Sequence, residues 1–412
     1  MSTPIQRRTI LTAAGATAVG LAVPGVAEAA ALRTRVRFML NARTLDGGEQ
    51  VTSLTLRTAG LGRILPASLT ADTFSVHVRA TNPIGDVLAY EVDRDVTTAR
   101  LDSDGNIVLE LRTAEGQVGG GTLGYLVSLG RNIQLDLDYT ITQNTPLRLR
   151  SGRNLRFTRF VQGELSNPEV DRFGYAVSAS GMNYRLFSPA QRYTGRRPLI
   201  VWLHGGGEGG SLANDYYDNE TPLRANRGAL GFATPRAQRI FGGAYVVAPQ
   251  STSAWMADGD AFAPLIREVI AEVVDRYPID RSRIHVAGAS NGGYMTMKMT
   301  VEYRRLFASS VPICGVVQSF PAGGERLITD AELRRITTPT WLVTSADDAT
   351  VDPFANTEHA HDLIPRSILT MYENVTWNGY RFPGHWSWIY VARNDPSRNG
   401  LSIMEWMARQ RS

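Results

Sequence analysis

The chain has 412 residues, 43% hydrophobic and 20% charged, with 39 Gly and 20 Pro, a balance that excludes a wholly disordered or fibrous protein and allows two domains. Its 43 Lys and Arg against 39 Asp and Glu give a net charge of +4, and apart from Lys298 every basic residue is a dispersed arginine, which argues against a nucleic-acid partner. Cys314 is the sole cysteine, so an intrachain disulfide and a cysteine-built metal site are both excluded, and the thiol is expected as a small buried hydrophobe after a strand.

Residues 1–30 place Arg7-Arg8 ahead of an Ala/Gly/Val stretch from Leu11 to Val26 and finish in Ala27-Glu28-Ala29 before Ala30. That order resembles a twin-arginine export signal with a small-residue cleavage site, so a secreted protein is expected. Pro24-Gly25 interrupts the stretch, and no later run reaches the roughly 18 apolar residues of a membrane helix, so no span is expected in the mature protein.

From 31 to 150 apolar and polar residues alternate in short runs, as in Phe74-Ser75-Val76-His77-Val78 and Ile107–Leu111, with Asp104-Gly105 as a hairpin turn and further runs at Leu123–Leu129 and Ile133–Ile141. This predicts a β-sandwich of immunoglobulin-like type, followed by a linker over 151–167. From 168 to 412 continuous apolar strands such as Leu199–Leu203 and Ile284–Ala287 alternate with helical runs such as Ala261–Tyr277. The predicted architecture there is α/β, a mostly parallel sheet with helices on both faces.

Gly288-Ala289-Ser290-Asn291-Gly292 lies between a strand and a helix, where small residues let a serine occupy a sharp turn with its hydroxyl exposed. A serine hydroxyl needs a base to take its proton and an acid to orient that base, and in such a fold they follow in the order Asp or Glu, then His. His359 and His361 fit a solvated helix face, whereas His385 sits in a loop near the chain end and is the expected base. Asp348, three residues before Val351, is the expected acid, with Asp347 as the alternative. In His204-Gly205-Gly206-Gly207-Glu208 the amides of Gly206 and Gly207, with that of Asn291, are expected to stabilise an oxyanion, and His204 to orient the loop. Neither a P-loop nor a dinucleotide fingerprint is present, and neither a cofactor nor a metal is expected.

These stretches, with Val247-Ala248-Pro249-Gln250 and Gly384-His385-Trp386-Ser387-Trp388, resemble the α/β-hydrolase group of secreted bacterial esterases, which includes polyhydroxyalkanoate-depolymerase-like and feruloyl-esterase-like enzymes and predicted peptidases, some with an N-terminal immunoglobulin-like domain. The resemblance runs from about Tyr184 to Gln410. It implies Ser290 as nucleophile, His385 as base, Asp348 as acid, and an oxyanion hole from the Gly206 region and Asn291. Trp255, Tyr216 and Trp386 are the expected substrate-binding aromatics. The expected substrates are short acyl or aryl (feruloyl-like) esters, small or polymer-linked. The alternatives are a serine peptidase of prolyl-oligopeptidase-like type, or a non-catalytic binding protein using the β-sandwich.

Overall fold

The computed structural model describes residues 32–319 and 324–412, and the expected export signal over residues 1–30 lies outside the described residues. The two-residue rhythm of the N-terminal half becomes β1 (Leu32–Leu45), β2 (Gly48–Leu56), β3 (Phe74–Asn82), β4 (Val87–Arg94), β5 (Val96–Leu101), β6 (Ile107–Leu111), β7 (Leu123–Leu126), β8 (Arg131–Gln134), β9 (Asp136–Gln143), β10 (Leu147–Arg148) and β11 (Asn154–Ser166). A sheet ordered β10-β11-β1-β2-β6-β5 and a second, β4-β3-β9, share one core, in which Phe38, Leu54 and Leu109 belong to the first and Val76, Val78 and Ile141 to the second. The Asp104-Gly105 turn joins β5 to β6, with Gly105 at φ +86° and the Asp102 carboxylate accepting from the Asp104 and Asn106 amides.

Two expectations for this half are corrected. The run Ile133–Ile141 is two strands, because the Leu135 amide turns to donate to the Thr122 carbonyl, leaving β8 in a separate ribbon with β7 and β9 paired with β3. Residues 151–167 are no linker: β11 pairs in parallel with β1, and Leu155 and Phe157 are buried in the shared core.

The second half carries β12 (Phe173–Val177), β13 (Asn183–Phe187), β14 (Arg197–Leu203), β15 (Tyr245–Pro249), β16 (Ile279–Ala289), β17 (Ser309–Ile313), β18 (Trp341–Ser345) and β19 (Ile368–Tyr372) in one sheet ordered β12-β13-β15-β14-β16-β17-β18-β19. The sheet is mixed, which corrects the mostly parallel expectation: β13 pairs antiparallel with β12 and β15, and the strands from β15 to β19 pair in parallel. A tight turn closed by the Ser178 amide on the Met182 carbonyl leaves β12 and β13 only an antiparallel pairing. Along β14, Leu199, Val201 and Leu203 join one core and Ile200 and Trp202 the other. Helices Gly259–Arg276 and Asn291–Glu302 cover the first face; Gly228–Phe232, Pro235–Phe241 and Ile403–Arg409 cover the second. The long helix starts at Gly259 because the Asp258 carboxylate caps it, accepting from the Ala261 amide at 3.0 Å. Among the described residues no helix is long and apolar enough to cross a membrane.

Buried charge joins the halves. The fully buried Glu49 carboxylate of β2 accepts both 2.6 Å contacts of Arg224 Nη1, the Asn167 amide at 2.7 Å and the Thr122 hydroxyl at 2.6 Å. Asp46 pairs with Arg393 across the same boundary, and Arg227, held by Glu169 within the second half, donates to the Thr44 carbonyl of β1. Breaking a buried pair strands its other member, so Glu49→Ala is expected to cost roughly 3–5 kcal/mol of stability in denaturant unfolding. The double variant Glu49→Met/Arg224→Met is expected to recover most of that loss; a cost for Glu49→Ala below about 1 kcal/mol, the size of an exposed pair, would defeat the account.

Candidate active site

Strand β16 ends at Ala289 and a helix starts at Asn291, which leaves Ser290 at the apex with φ +56° and ψ −116°. A non-glycine residue there is strained by roughly 1–3 kcal/mol and persists only where its surroundings enforce it. They do so here: a Cβ at Gly292 would stand 2.0 Å from the Leu203 carbonyl oxygen, and one at Gly288 2.5 Å from that of Gly292. The Ser290 amide donates to the Ile313 carbonyl at 2.8 Å, which ties the apex to the end of β17.

His385 lies in a short turn, Gly384–Trp386, and its Nδ1 is 2.7 Å from Asp348 Oδ2. Asp348 is anchored in turn, its Oδ1 accepting from the Thr350 and Val351 amides at 2.9 Å each. Asp347 faces elsewhere, toward Ser345 and, at 2.7 Å, Arg381. The remaining histidines of that region are also engaged away from the site, His359 with Asp330 and His361 with Ser367. The structure thus brings His385 and Asp348 together after β18 and places Ser290 at the end of β16, with β17 between, and no hydrogen bond joins Ser290 to His385. Such contacts are often loose in unliganded sites.

Cys314, next to Ile313, is more than a core filler. Fully buried and held at φ +38°, it puts its sulfur within 4.8 Å of ligand atoms of both Asp348 and His385. Burial opposes a charged His385 ring, but the Cys314 sulfur and the Asp348 carboxylate outweigh it and hold the ring above its ordinary value of 6.5. A base must be neutral to accept a proton, so activity is expected to fall as pH drops through that raised value. Cys314→Ala is expected to move the acid limb of the kcat/KM profile to lower pH, toward 6.5; an unmoved limb would exclude the sulfur as a cause.

The glycine loop follows β14, with Gly206–Glu208 in one turn of 3-10 helix. A Cβ on Gly206 would lie 3.8 Å from that of Asn291, so the loop passes directly over the start of the helix behind Ser290, whose first amides lack helical partners. His204 braces the loop from beneath. Burial pushes it down to about 4, so the ring is neutral, and its partners assign the tautomer: Nδ1–H donates to the Gly205 carbonyl at 2.7 Å while Nε2 accepts from the Ser251 amide at 3.0 Å. Glu208, given no role in the sequence, is buried in the same turn, with Oε2 unpartnered among the described residues. Burial pushes its carboxyl up to about 7, against the pull of His385 and Arg131.

Of the aromatics expected at the substrate, Trp255 is a correction. It is fully buried behind the loop, donating its indole N–H to the His204 carbonyl at 3.0 Å and packing on the His204 ring at 4.7 Å. Tyr216 is also committed elsewhere, its hydroxyl accepting from the Gln134 amide of β8 and contacting Thr221 and Asp218. Trp386 is half-buried beside His385 and stacks on Trp388 with centroids 5.8 Å apart. The reading missed Tyr125 and Asn132 of the β7–β8 ribbon, which reach Gly207; their sequence signal was no more than an ordinary strand rhythm.

This sheet, with a serine elbow after β16 and an Asp–His pair on the following loops, is an α/β-hydrolase fold. The model of the prolyl oligopeptidase family matches residues 259–326. NocK of Nocardia uniformis subsp. tsuyamanensis, assigned as an esterase, is 29% identical over 169 residues, 40% of this chain and 47% of its own. Acetylxylan esterase A of Emericella nidulans is 28% identical over 162 residues, 39% of this chain and 48% of its own. The chain thus spans about half the length of the curated relatives it matches. The crystal structure of a thermostable esterase superposes with a TM-score of 0.73 at 24% identity, covering 91% of this chain and 99% of that one, so the likeness in fold extends through both halves.

Proposed function

We propose that the chain is a secreted serine esterase acting on short acyl or aryl (feruloyl-like) esters through Ser290, His385 and Asp348. The observation that carries this is the 2.7 Å contact between His385 and Asp348 at the strand ends beside the strained Ser290 apex. His385 takes the Ser290 proton as the hydroxyl attacks the ester carbonyl. The amides of Gly206, Gly207 and Asn291 receive the oxyanion, and the alcohol leaves with the proton returned by His385. Water, activated by the same ring, then hydrolyses the acyl-enzyme.

The esterase names of two curated relatives support ester over amide substrates, and the acetylxylan esterase supports a small acyl group on a sugar. The family match over residues 259–326 favours a second reading, a serine peptidase. Export rests on Arg7-Arg8 and the Ala27–Ala29 site, and the two sheets around one core support an immunoglobulin-like module. Hydrolysis of acetyl esters, feruloyl esters and peptide amides by the chain from Ala30 onward is the test. Turnover of esters alone supports the esterase, whereas turnover of amides at equal or greater kcat/KM transfers the proposal to the peptidase.

A further inference from the structure

The β7–β8 ribbon belongs to neither sheet of the N-terminal half, yet it is fastened to the glycine loop of the other half. Arg131 Nε donates to the Gly210 carbonyl at 3.2 Å, the Gln134 amide donates to the Tyr216 hydroxyl at 3.1 Å, and the Gln134 side chain donates to Asp218. Between these anchors two side chains stand against Gly207, the neighbour of the expected oxyanion donor Gly206. A Cβ at Gly207 would meet Asn132 Nδ2 at 2.9 Å and Tyr125 Cε2 at 3.6 Å. Neither group is spent on the fold: Tyr125 is 59% exposed, and the Asn132 carboxamide makes no hydrogen bond among the described residues.

We propose that Tyr125 and Asn132 form a substrate subsite, lent by the N-terminal half to the active site, that binds a hydroxyl-bearing ring of the ester. This deepens and rests on the esterase reading above. The Tyr125 face, open to solvent, stacks on the ring, while the Asn132 carboxamide donates to a ring hydroxyl; an apolar body with a few placed polar groups is how such sites fix orientation. A pyranosyl alcohol and a hydroxycinnamoyl acid both present this chemistry. A Cβ at Gly207 would press on the Asn132 carboxamide and make it shift.

The test compares three esters on the full mature chain: ethyl acetate, which has no ring, an acetylated methyl xyloside and methyl ferulate. With Tyr125→Ala and with Asn132→Ala, kcat/KM for a ring-bearing ester is expected to drop about tenfold through KM, the worth of one such contact, while ethyl acetate stays within about twofold. Whichever ring ester responds identifies the source of the ring. Tyr125 is exposed and Asn132, though half-buried, makes no hydrogen bond among the described residues, so circular dichroism is expected to be unchanged. Ring-bearing and ring-free esters falling in parallel, or neither changing, would overturn the subsite. If the wild-type chain turned over none of the esters, the esterase reading would fail instead. The subsite is then decided by calorimetric binding of methyl xyloside and ferulate to Ser290→Ala, with binding that Tyr125→Ala fails to weaken, or no binding at all, counting against it.

Discussion

Ser290→Ala is expected to remove ester turnover almost entirely, by roughly a millionfold in kcat, about 8 kcal/mol of transition-state stabilisation. The size follows from the role: without the hydroxyl there is no acyl-enzyme, and His385 and Asp348 have no nucleophile to activate, so their contributions vanish together with it. The residual rate over water comes from the oxyanion donors and from binding, both on separate backbone. The fold is expected to survive, since the apex is held by the crowding at Gly288 and Gly292 and by the Ser290 amide on Ile313, and none of these uses the side chain. Steady-state assays with a fluorophosphonate label on the wild type check it. A folded Ser290→Ala protein keeping more than a few per cent of ester activity would place the nucleophile elsewhere.

What the sequence discloses about such a site is what is local in it. The apex is legible because Gly288 and Gly292 must be free of a Cβ within four residues of one another, and His385 stands out because the other downstream histidines sit in a run that reads as a solvated helix. Asp348 over Asp347 is legible through Val351, whose amide, three residues on, holds Oδ1 at 2.9 Å. Contacts across distance leave no such trace. An indole in a loop is equally suited to a pocket and to a core, and it is the His204 carbonyl, 51 residues away, that draws Trp255 inward. The β7–β8 ribbon has the same alternation as its neighbours, and its bonds to Gly210, Tyr216 and Asp218, some 80 residues on, send it to the glycine loop. Cys314 likewise has the pattern of a core residue, and becomes more only because β17 stops beside the loop that carries His385. The mixed sheet escapes for a related reason: apolar runs report burial, whereas strand direction is set by the length of the connection.

Asp348→Asn is expected to lower kcat by about four orders of magnitude, a loss seen when a triad acid becomes an amide without moving. The geometry gives the direction. Asp348 Oδ1 already receives two backbone amides, so an asparagine must turn its carbonyl oxygen to Thr350 and Val351 and its NH2 to His385 Nδ1. A donor then faces a donor, and the imidazole shifts its proton to Nε2, where it can no longer accept one from Ser290. Loss of the carboxylate also removes one of the groups holding the ring above 6.5, so what activity survives is expected to show an acid limb at lower pH than the wild type. Asp347→Asn gives the contrast. Its carboxylate pairs with Arg381, which is 62% exposed, and with Ser345, so its loss is expected to change kcat less than about tenfold. Parallel pH profiles of the two variants separate the roles: a severe loss in Asp347→Asn with Asp348→Asn near wild type would reverse the assignment. Equal severe losses would mean that the loop between β18 and His385 acts through its shape rather than through the charge at position 348.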